Sequence, residues 1–460
     1  MKIVVCVKVI EGELNPFDEC ALEEALRIED AEVSVISMCP PSTADKLRSL
    51  TRLGVKSVTL ISDRVYAGSD TLATAYILSK QLARMEYDLV FCGRQTVDGD
   101  TAQVGPCLAT MMGLGLITNV MKIESVDSEI VCQTRLGTEK ATLPALLTVE
   151  RINTLRFPSI RSRLGEIEIV DNSVLGADPS RCGLSGSPTK VLKVFENASG
   201  FRKCKMIAPA ELPTLLSSLP KTEKGNETAP VEGKKLPEVW AIGRTVLPKA
   251  EAISEKVVLI EETDPVKIAE RAKVEKPSVI LWNADLLGRK NAPIVSAMLE
   301  TGLCADCTAL ETDGEKLFMY RPAKSGNIIA KIECRSLPQM ATVRCAVPSD
   351  DMIVAGGRGV AEQFDAIEAF AKKIGAASCA SRPVVDKNLV PYEYQVGLTG
   401  KNVSPRVYIA IGISGAVQHT CAIENAGVII AINPDKDAPI FRYADYGILA
   451  TFEDVEKAFQ

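Results

Sequence analysis

What most constrains this chain is the regular alternation, through its first 115 residues, of short β-branched runs with amphipathic stretches. Segments 4–10, 33–38, 58–61 and 89–92 are rich in valine and isoleucine and predict strands, while 20–28, 43–53 and 71–85 carry apolar residues at helical spacing. Strands that alternate with helices pair in parallel, because each crossover returns the chain to the same end of the sheet. The pattern predicts a doubly wound α/β domain, with two further β-rich runs between Ile130 and Val149, around Gly137, as a hairpin or added strands beside it.

The rhythm returns twice. Strands are predicted at 239–242, 257–260 and 279–282 with a helix at 265–274. A third series begins at 352–355 and runs through a helix at 362–374, a strand at 407–411, a helix from Ala416 and a strand at 428–432. Residues 151–220 are rich in Arg, Pro and Ser, and 221–235 are polar and charged, as a solvated linker requires. The expected organisation is a first domain with a C-terminal arm over 1–220, a linker over 221–235, a second domain over 236–347 and a third over 348–460.

Composition narrows the function. With 46% hydrophobic and 24% charged residues the chain reads as a globular protein, and no apolar run reaches the roughly 20 residues of a membrane span. A net charge of −6 without a long basic cluster argues against nucleic-acid binding. The strand-like N-terminus lacks a small-residue cleavage site, so a cytoplasmic location is expected and the 14 cysteines are expected reduced. Cys304 and Cys307 form a lone CxxC and the chain has a single histidine, so no metal site is expected.

The chemistry concentrates near the C-terminus. The strand 407–411 runs into Gly412-Ile413-Ser414-Gly415 and then a helix bearing Gln418 and His419, an arrangement in which backbone N–H groups and a helix dipole favour a pyrophosphate. Gly356-Gly357-Arg358-Gly359 follows another strand and adds close backbone approach and a fixed cation. Each motif taken alone also fits a plain strand-to-helix turn, and a lone helical histidine fits a structural role. Ser381-Arg382 and Thr399-Gly400-Lys401 are unremarkable singly.

Together and in this order, Gly356 to Gly359, Ala380-Ser381-Arg382, Gln395 to Lys401, Gly412 to His419, Ala431 to Asn433 and Ala438 to Ile448 resemble the alpha subunit of electron-transfer flavoproteins. The resemblance implies an FAD-binding C-terminal domain. It places Arg358 by the phosphates or adenosine, Ser381 and Arg382 at the isoalloxazine edge, and Val396, Gly397, Leu398 and Thr399 along the ring. Ser414 and Gly415, leading into Ala416 and Val417, would meet the pyrophosphate and ribityl chain. Gln418 and His419 would sit by the pyrimidine side and Asn433 toward the adenosine. A guanidinium and an imidazole there favour the negative charge that reduction brings. Leu398 stands where the family usually has Gln, and Thr451 where it has Asp.

Residues 276–347, with Leu287-Gly288-Arg289, Ala305 to Thr308 and Arg321-Pro322, resemble that subunit's first domain, shortened by one αβ unit and with Ile294 in place of an arginine. The N-terminal half resembles the beta subunit through Asn15-Pro16-Phe17-Asp18, Gly93-Arg94-Gln95, Asp98 to Pro106 and Gly183 to Val194. A single fused chain would thus replace the usual heterodimer, with two doubly wound domains like those of adenine nucleotide alpha-hydrolases followed by the FAD-binding domain. The implied second nucleotide site comprises Cys6, Asn15, Pro16, Phe17, Asp18, Met38, Gly93, Gln95, Asp98, Gly99, Asp100, Thr101, Gln103 and Val104, where Asp100 or Thr101 is expected to cap a helix.

In this family that site holds AMP, or a second FAD beside an NADH site in the branch that bifurcates electrons. Both remain open, as does a non-redox adenine-nucleotide module. Ile160, in Arg156 to Leu164, is the expected docking anchor for an acyl-CoA dehydrogenase-like flavoprotein, with a redox acceptor as the second partner. A hinge between the last two domains is expected near 346–351.

Overall fold

A computed structural model describes residues 1–196, 201–219, 234–324, 328–345, 351–387, 389–398 and 400–459. The linker 221–235, save its last two residues, and the hinge near 346–351, save Asp351, lie outside them, as does Thr399. The described chain forms two compact units. One is built from Met1–Val194, 234–324 and Ala330–Val343, the other from 195–196, 201–219, 328–329, 344–345 and 351–459.

The first unit holds two larger sheets besides short antiparallel strand groups. In the N-terminal one the strands run in the order Glu168–Val170, Ser57–Ile61, Glu32–Met38, Lys2–Cys6, Leu89–Gly93, Ala145–Val149, Gly115–Val126, Glu129–Thr134 and Gly137–Thr142. All are parallel up to Gly115–Val126, and the last two add an antiparallel hairpin around Gly137. Both faces are covered, so the strands read as continuous apolar runs. Ile3, Val5, Leu89 and Phe91 pack on one side, and Val4, Val90, Ile77 and Leu82 on the other.

Three sequence expectations shift in detail. The first strand ends at Cys6, not at residue 10. The helix expected over 43–53 is one turn and a half of α-helix, Ala44–Ser49, between 3₁₀ turns. The long strand Gly115–Val126 has no counterpart among the predicted strands, because its outer half alternates polar with apolar residues and lacks an unbroken apolar run.

The second sheet of this unit is five-stranded and parallel: Ser254–Ile260, Leu236–Ile242, Val279–Asn283, Gln339–Val343 and Leu303–Cys307. An antiparallel pair, Ala309–Thr312 with Leu317–Ala323, follows its edge strand.

The other unit has one parallel sheet in the order Lys205–Met206, Tyr446–Ile448, Val428–Ile432, Val407–Ile411, Met352–Gly356, Ala377–Ser381 and Gln395–Val396. Counted from Met352, the strands stand in the order 3-2-1-4-5-6, that of dinucleotide-binding folds. Val354, Ile409 and Ile430 face one layer, and Ile353, Tyr408 and Ile429 the other. Truncating a buried isoleucine such as Ile409 to alanine costs about 2–5 kcal/mol.

The arm after residue 200 belongs to this unit, where it supplies the edge strand Lys205–Met206 and the fully buried Leu212. Arg202 anchors it, donating to Asp445 Oδ2 at 2.5 Å and to the carbonyls of Gly427, Glu424 and Ala426 at 3.1, 3.1 and 2.7 Å. No helix among the described residues is long and apolar enough to cross a membrane.

Candidate functional site

In an open parallel sheet, ligands bind beyond the carboxyl ends of the strands where the winding order reverses. In the C-terminal unit that point lies between Met352–Gly356 and Val407–Ile411. The loops leaving both strands are built from glycine because their backbones touch. Gly357 N donates to Ile411 O at 2.8 Å and Gly359 N to Gly412 O at 3.1 Å, and a Cβ on Gly357 would run into the Gly412 backbone. Gly415 has φ +91°, and a Cβ there would strike the Ile440 backbone, whose N–H bonds Ser414 O at 3.0 Å. The exposed Ser414 and Ala416 flank it.

Every described residue assigned to the FAD site falls on this edge. Arg358 is exposed at the first strand's end, and Ser381 is buried at the next, followed by Arg382, paired with Asp386 at 3.0 Å. Val396, Gly397 and Leu398 meet the 417–419 turn, where Leu398 N donates to Gln418 O at 2.5 Å. Asn433 donates through Nδ2 to Ile413 O at 3.0 Å and accepts Asp435 N at 2.9 Å, so it props the loop before Ser414. One expectation needs correction: the helix from Ala416 is a single turn, Val417–Thr420, so a long helix dipole is not available to a pyrophosphate there.

His419 is the clearest sign of a ligand. It is buried, its Nε2 meets Tyr408 Oη at 2.9 Å, and its Nδ1 makes no hydrogen bond of full geometry, with only the Val396 backbone acting on the ring. Burial pushes its pKa down to about 4, against a weak opposing pull from the Val396 backbone, so the ring is neutral at pH 7. An unpartnered buried polar atom is costly unless something else satisfies it. That orphan, the glycine cradle and the cations Arg358 and Arg382 fit an FAD.

The N-terminal sheet reverses between Lys2–Cys6 and Leu89–Gly93, and the second residue set gathers there. Asp18, at the start of the helix Pro16–Arg27, accepts Lys8 N at 2.8 Å and Gly93 N at 3.1 Å, joining the ends of the two strands. Burial raises its pKa to about 7 against those bonds and the Lys8 charge. Asn15, fully buried, donates to Gln95 O at 2.9 Å and accepts Val97 N at 3.3 Å. Lys8 pairs with Asp98 at 2.6 Å.

Cys6 and Met38 end neighbouring strands, Phe17 is buried beneath Arg94, and Gly99 and the half-buried Thr101 lie in the loop before Val104–Met112. Neither Asp100 nor Thr101 caps that helix. Gln103 holds the N-cap position, and Asp100, at φ 52°, accepts Gln95 Nε2 at 3.0 Å.

Sequence reading missed the support beneath this site. Glu150, fully buried, receives Arg94 at 3.1 Å and Arg135 at 2.9 Å, and Arg94 continues to Gln95 Oε1 at 2.6 Å. Arg321, read only as part of the resemblance to the alpha subunit's first domain, donates to Gly99 O at 2.7 Å across 222 positions of sequence. No local pattern signals a contact of that span. Among the described residues no group of three His, Cys, Asp or Glu is placed to hold a metal ion.

Comparison with known proteins agrees with this geometry. The electron transfer flavoprotein domain matches residues 3–175 and 223–369, and the electron transfer flavoprotein FAD-binding domain matches 346–424. An electron transfer flavoprotein subunit alpha from Thermoanaerobacterium thermosaccharolyticum is 40% identical over 229 residues, 40% of this chain and 69% of that protein. The subunit beta of the same organism is 41% identical over 192 residues, 39% of this chain and 74% of that protein. Protein FixA of Azotobacter vinelandii is 40% identical over 214 residues, 42% of this chain and 76% of that protein. The chain therefore belongs to the electron transfer flavoprotein family, joining beta-like and alpha-like halves in one polypeptide, with an FAD-binding domain in the alpha-like half.

Proposed function

We propose that the chain relays electrons from a flavoprotein dehydrogenase of the acyl-CoA dehydrogenase type to a separate redox acceptor, with FAD at the switch point of the C-terminal unit. The observation that carries this is the buried, half-satisfied His419 beside a glycine cradle on the binding edge of a dinucleotide-type sheet. A bound flavin accepts and releases electrons singly or in pairs. The chain's own residues set its environment. Arg358 and Arg382 supply positive charge, neutral His419 offers an uncharged ring nitrogen, and Asn433 holds the Ser414 loop in place.

At the switch point of the N-terminal sheet we place an adenine nucleotide, AMP in the simple-carrier reading. The second reading, in which this site holds another FAD and NADH is the donor for electron bifurcation, is favoured by the Asn15-Pro16-Phe17-Asp18 and Asp98-to-Pro106 segments. Denaturing the purified chain and quantifying what it releases separates the two. One FAD with one AMP supports the carrier, and two FAD with bleaching by NADH supports bifurcation. No adenine nucleotide beyond one FAD removes the second site.

Docking is assigned to 156–164, where Phe157 and Ile160 are 96% and 99% exposed. Such apolar side chains anchor interfaces when a partner buries them. One end of the segment is fixed, since Arg156 makes three bonds to the Glu23 carboxylate at 2.9 to 3.1 Å.

A further inference from the structure

Tyr408 stands second in the strand Val407–Ile411 and is fully buried, in the layer that also holds Val396, Ala410 and Ile423. Its Oη meets His419 Nε2 at 2.9 Å, with the two rings 6.0 Å apart between centroids. Among the described residues His419 is the hydroxyl's one hydrogen-bond partner.

A neutral imidazole and a phenol can share their protons in two ways. If Nε2 carries the ring hydrogen, it donates to the phenol oxygen, and both the phenol O–H and the bare Nδ1 are left buried and unmet. If Nδ1 carries it, the phenol donates to a bare Nε2 and a single group, Nδ1–H, is left over. Each unmet buried polar group is costly, so the second arrangement prevails. The Val396 backbone pulls the same way, since it favours a protonated ring nitrogen. Burial pushes the phenol far above its ordinary pKa, so it keeps the proton it must donate.

We propose that Tyr408 is a positioning residue that fixes His419 as the Nδ1–H tautomer, so that the ring offers bound FAD a neutral hydrogen-bond donor. Such a donor gains strength as reduction brings negative charge to the flavin, and so favours the reduced form. Tyr408 acts through the imidazole. The inference rests on the reading of the C-terminal switch point as an FAD site.

The test uses the full chain, with and without FAD, carrying isotope-labelled histidine read by nitrogen NMR. His419 is the chain's single histidine, so every signal from the label is its own. At pH 7 the wild type is expected to show a protonated Nδ1 and a bare Nε2, the other tautomer being at least about tenfold rarer, the worth of one buried hydrogen bond. Tyr408→Phe removes the hydroxyl alone and is expected to move that ratio at least about tenfold toward Nε2–H. In the FAD-loaded chain it is expected to lower the two-electron midpoint potential by about 30 mV, the equivalent of a tenfold loss of preference for reduced over oxidised flavin. In a His419→Gln background the same change is expected to leave the potential unmoved, because the imidazole that transmits the effect is gone.

A wild-type Nε2–H tautomer would overturn the proposal, as would a ratio unmoved in Tyr408→Phe, a potential unmoved while the ratio shifts, or a potential shift that persists in His419→Gln. If Tyr408→Phe fails to fold, the wild-type spectrum decides. A wild-type chain that takes up no FAD sinks the flavin reading instead, and the spectrum of the flavin-free chain tells the two failures apart.

Discussion

Asp18 ties the two strands that flank the N-terminal switch point, and replacing it with asparagine tests that site through stability. Its pKa of about 7 in the folded chain lies above the ordinary aspartate value of 3.8, with burial as the main cause. Between those values the folded state binds more protons than the unfolded one, so this group's contribution is greatest at low pH and falls as pH rises toward 8. From pH 5 to pH 8 the span that counts is the roughly two units between pH 5 and the folded pKa of about 7, which at 1.36 kcal/mol per unit removes ~2.5 kcal/mol of stability.

Asparagine has no such titration. It can accept from only one of the two N–H groups of Lys8 and Gly93, leaving the other buried and unmet at a cost of about 1–3 kcal/mol. Asp18→Asn is therefore expected to be clearly less stable than wild type at pH 5, with the gap closing by ~2.5 kcal/mol at pH 8. Urea unfolding followed by tryptophan emission reads this unit selectively, because the chain's two tryptophans, Trp240 and Trp282, are both buried within it. A gap that stays constant from pH 5 to 8 would refute the placement of Asp18 as a buried carboxyl shared between two backbone donors.

Other perturbations probe the flavin unit and the docking segment. Gly415→Ala forces a Cβ into the Ile440 backbone at φ +91°, which is expected to cost about 1–3 kcal/mol and lower bound FAD per chain, measured by flavin absorbance after purification. Arg382→Ala removes a half-buried cation and is expected to lower the flavin midpoint potential by on the order of 1 kcal/mol, roughly 40 mV per electron, in a spectroelectrochemical titration. An unchanged potential would remove Arg382 from the flavin's surroundings. Ile160→Asp is expected to slow electron transfer from a dehydrogenase partner at least about tenfold while flavin content and Trp emission stay at wild-type values.

The sequence carried the fold further than the site. Strands 407–411 and 428–432 were legible to the residue, since parallel strands buried on both faces are unbroken apolar runs. Gly115–Val126 was hidden because it leaves the parallel core and joins an antiparallel hairpin with polar outward positions. The glycines at 357, 412 and 415 were visible as motifs, but their cause, backbone against backbone between distant loops, is a property of the fold. Asp18 and Asp98 could be picked out in their segments. Their partners could not, because Lys8 to Asp98 and Arg321 to Gly99 join positions that only the winding of the sheets brings together.

The account stands on FAD held at the C-terminal switch point. Its most direct test is to add FAD to the purified full chain and to Gly357→Val, whose side chain would occupy the contact between the two glycine loops, then remove free flavin by gel filtration and record the visible spectrum. The expected result is a yellow wild-type protein with flavin in stoichiometric amount that bleaches on reduction and recovers in air, and a variant depleted of it. A wild-type chain that stays colourless, or a variant that binds FAD as tightly as wild type, would contradict the account.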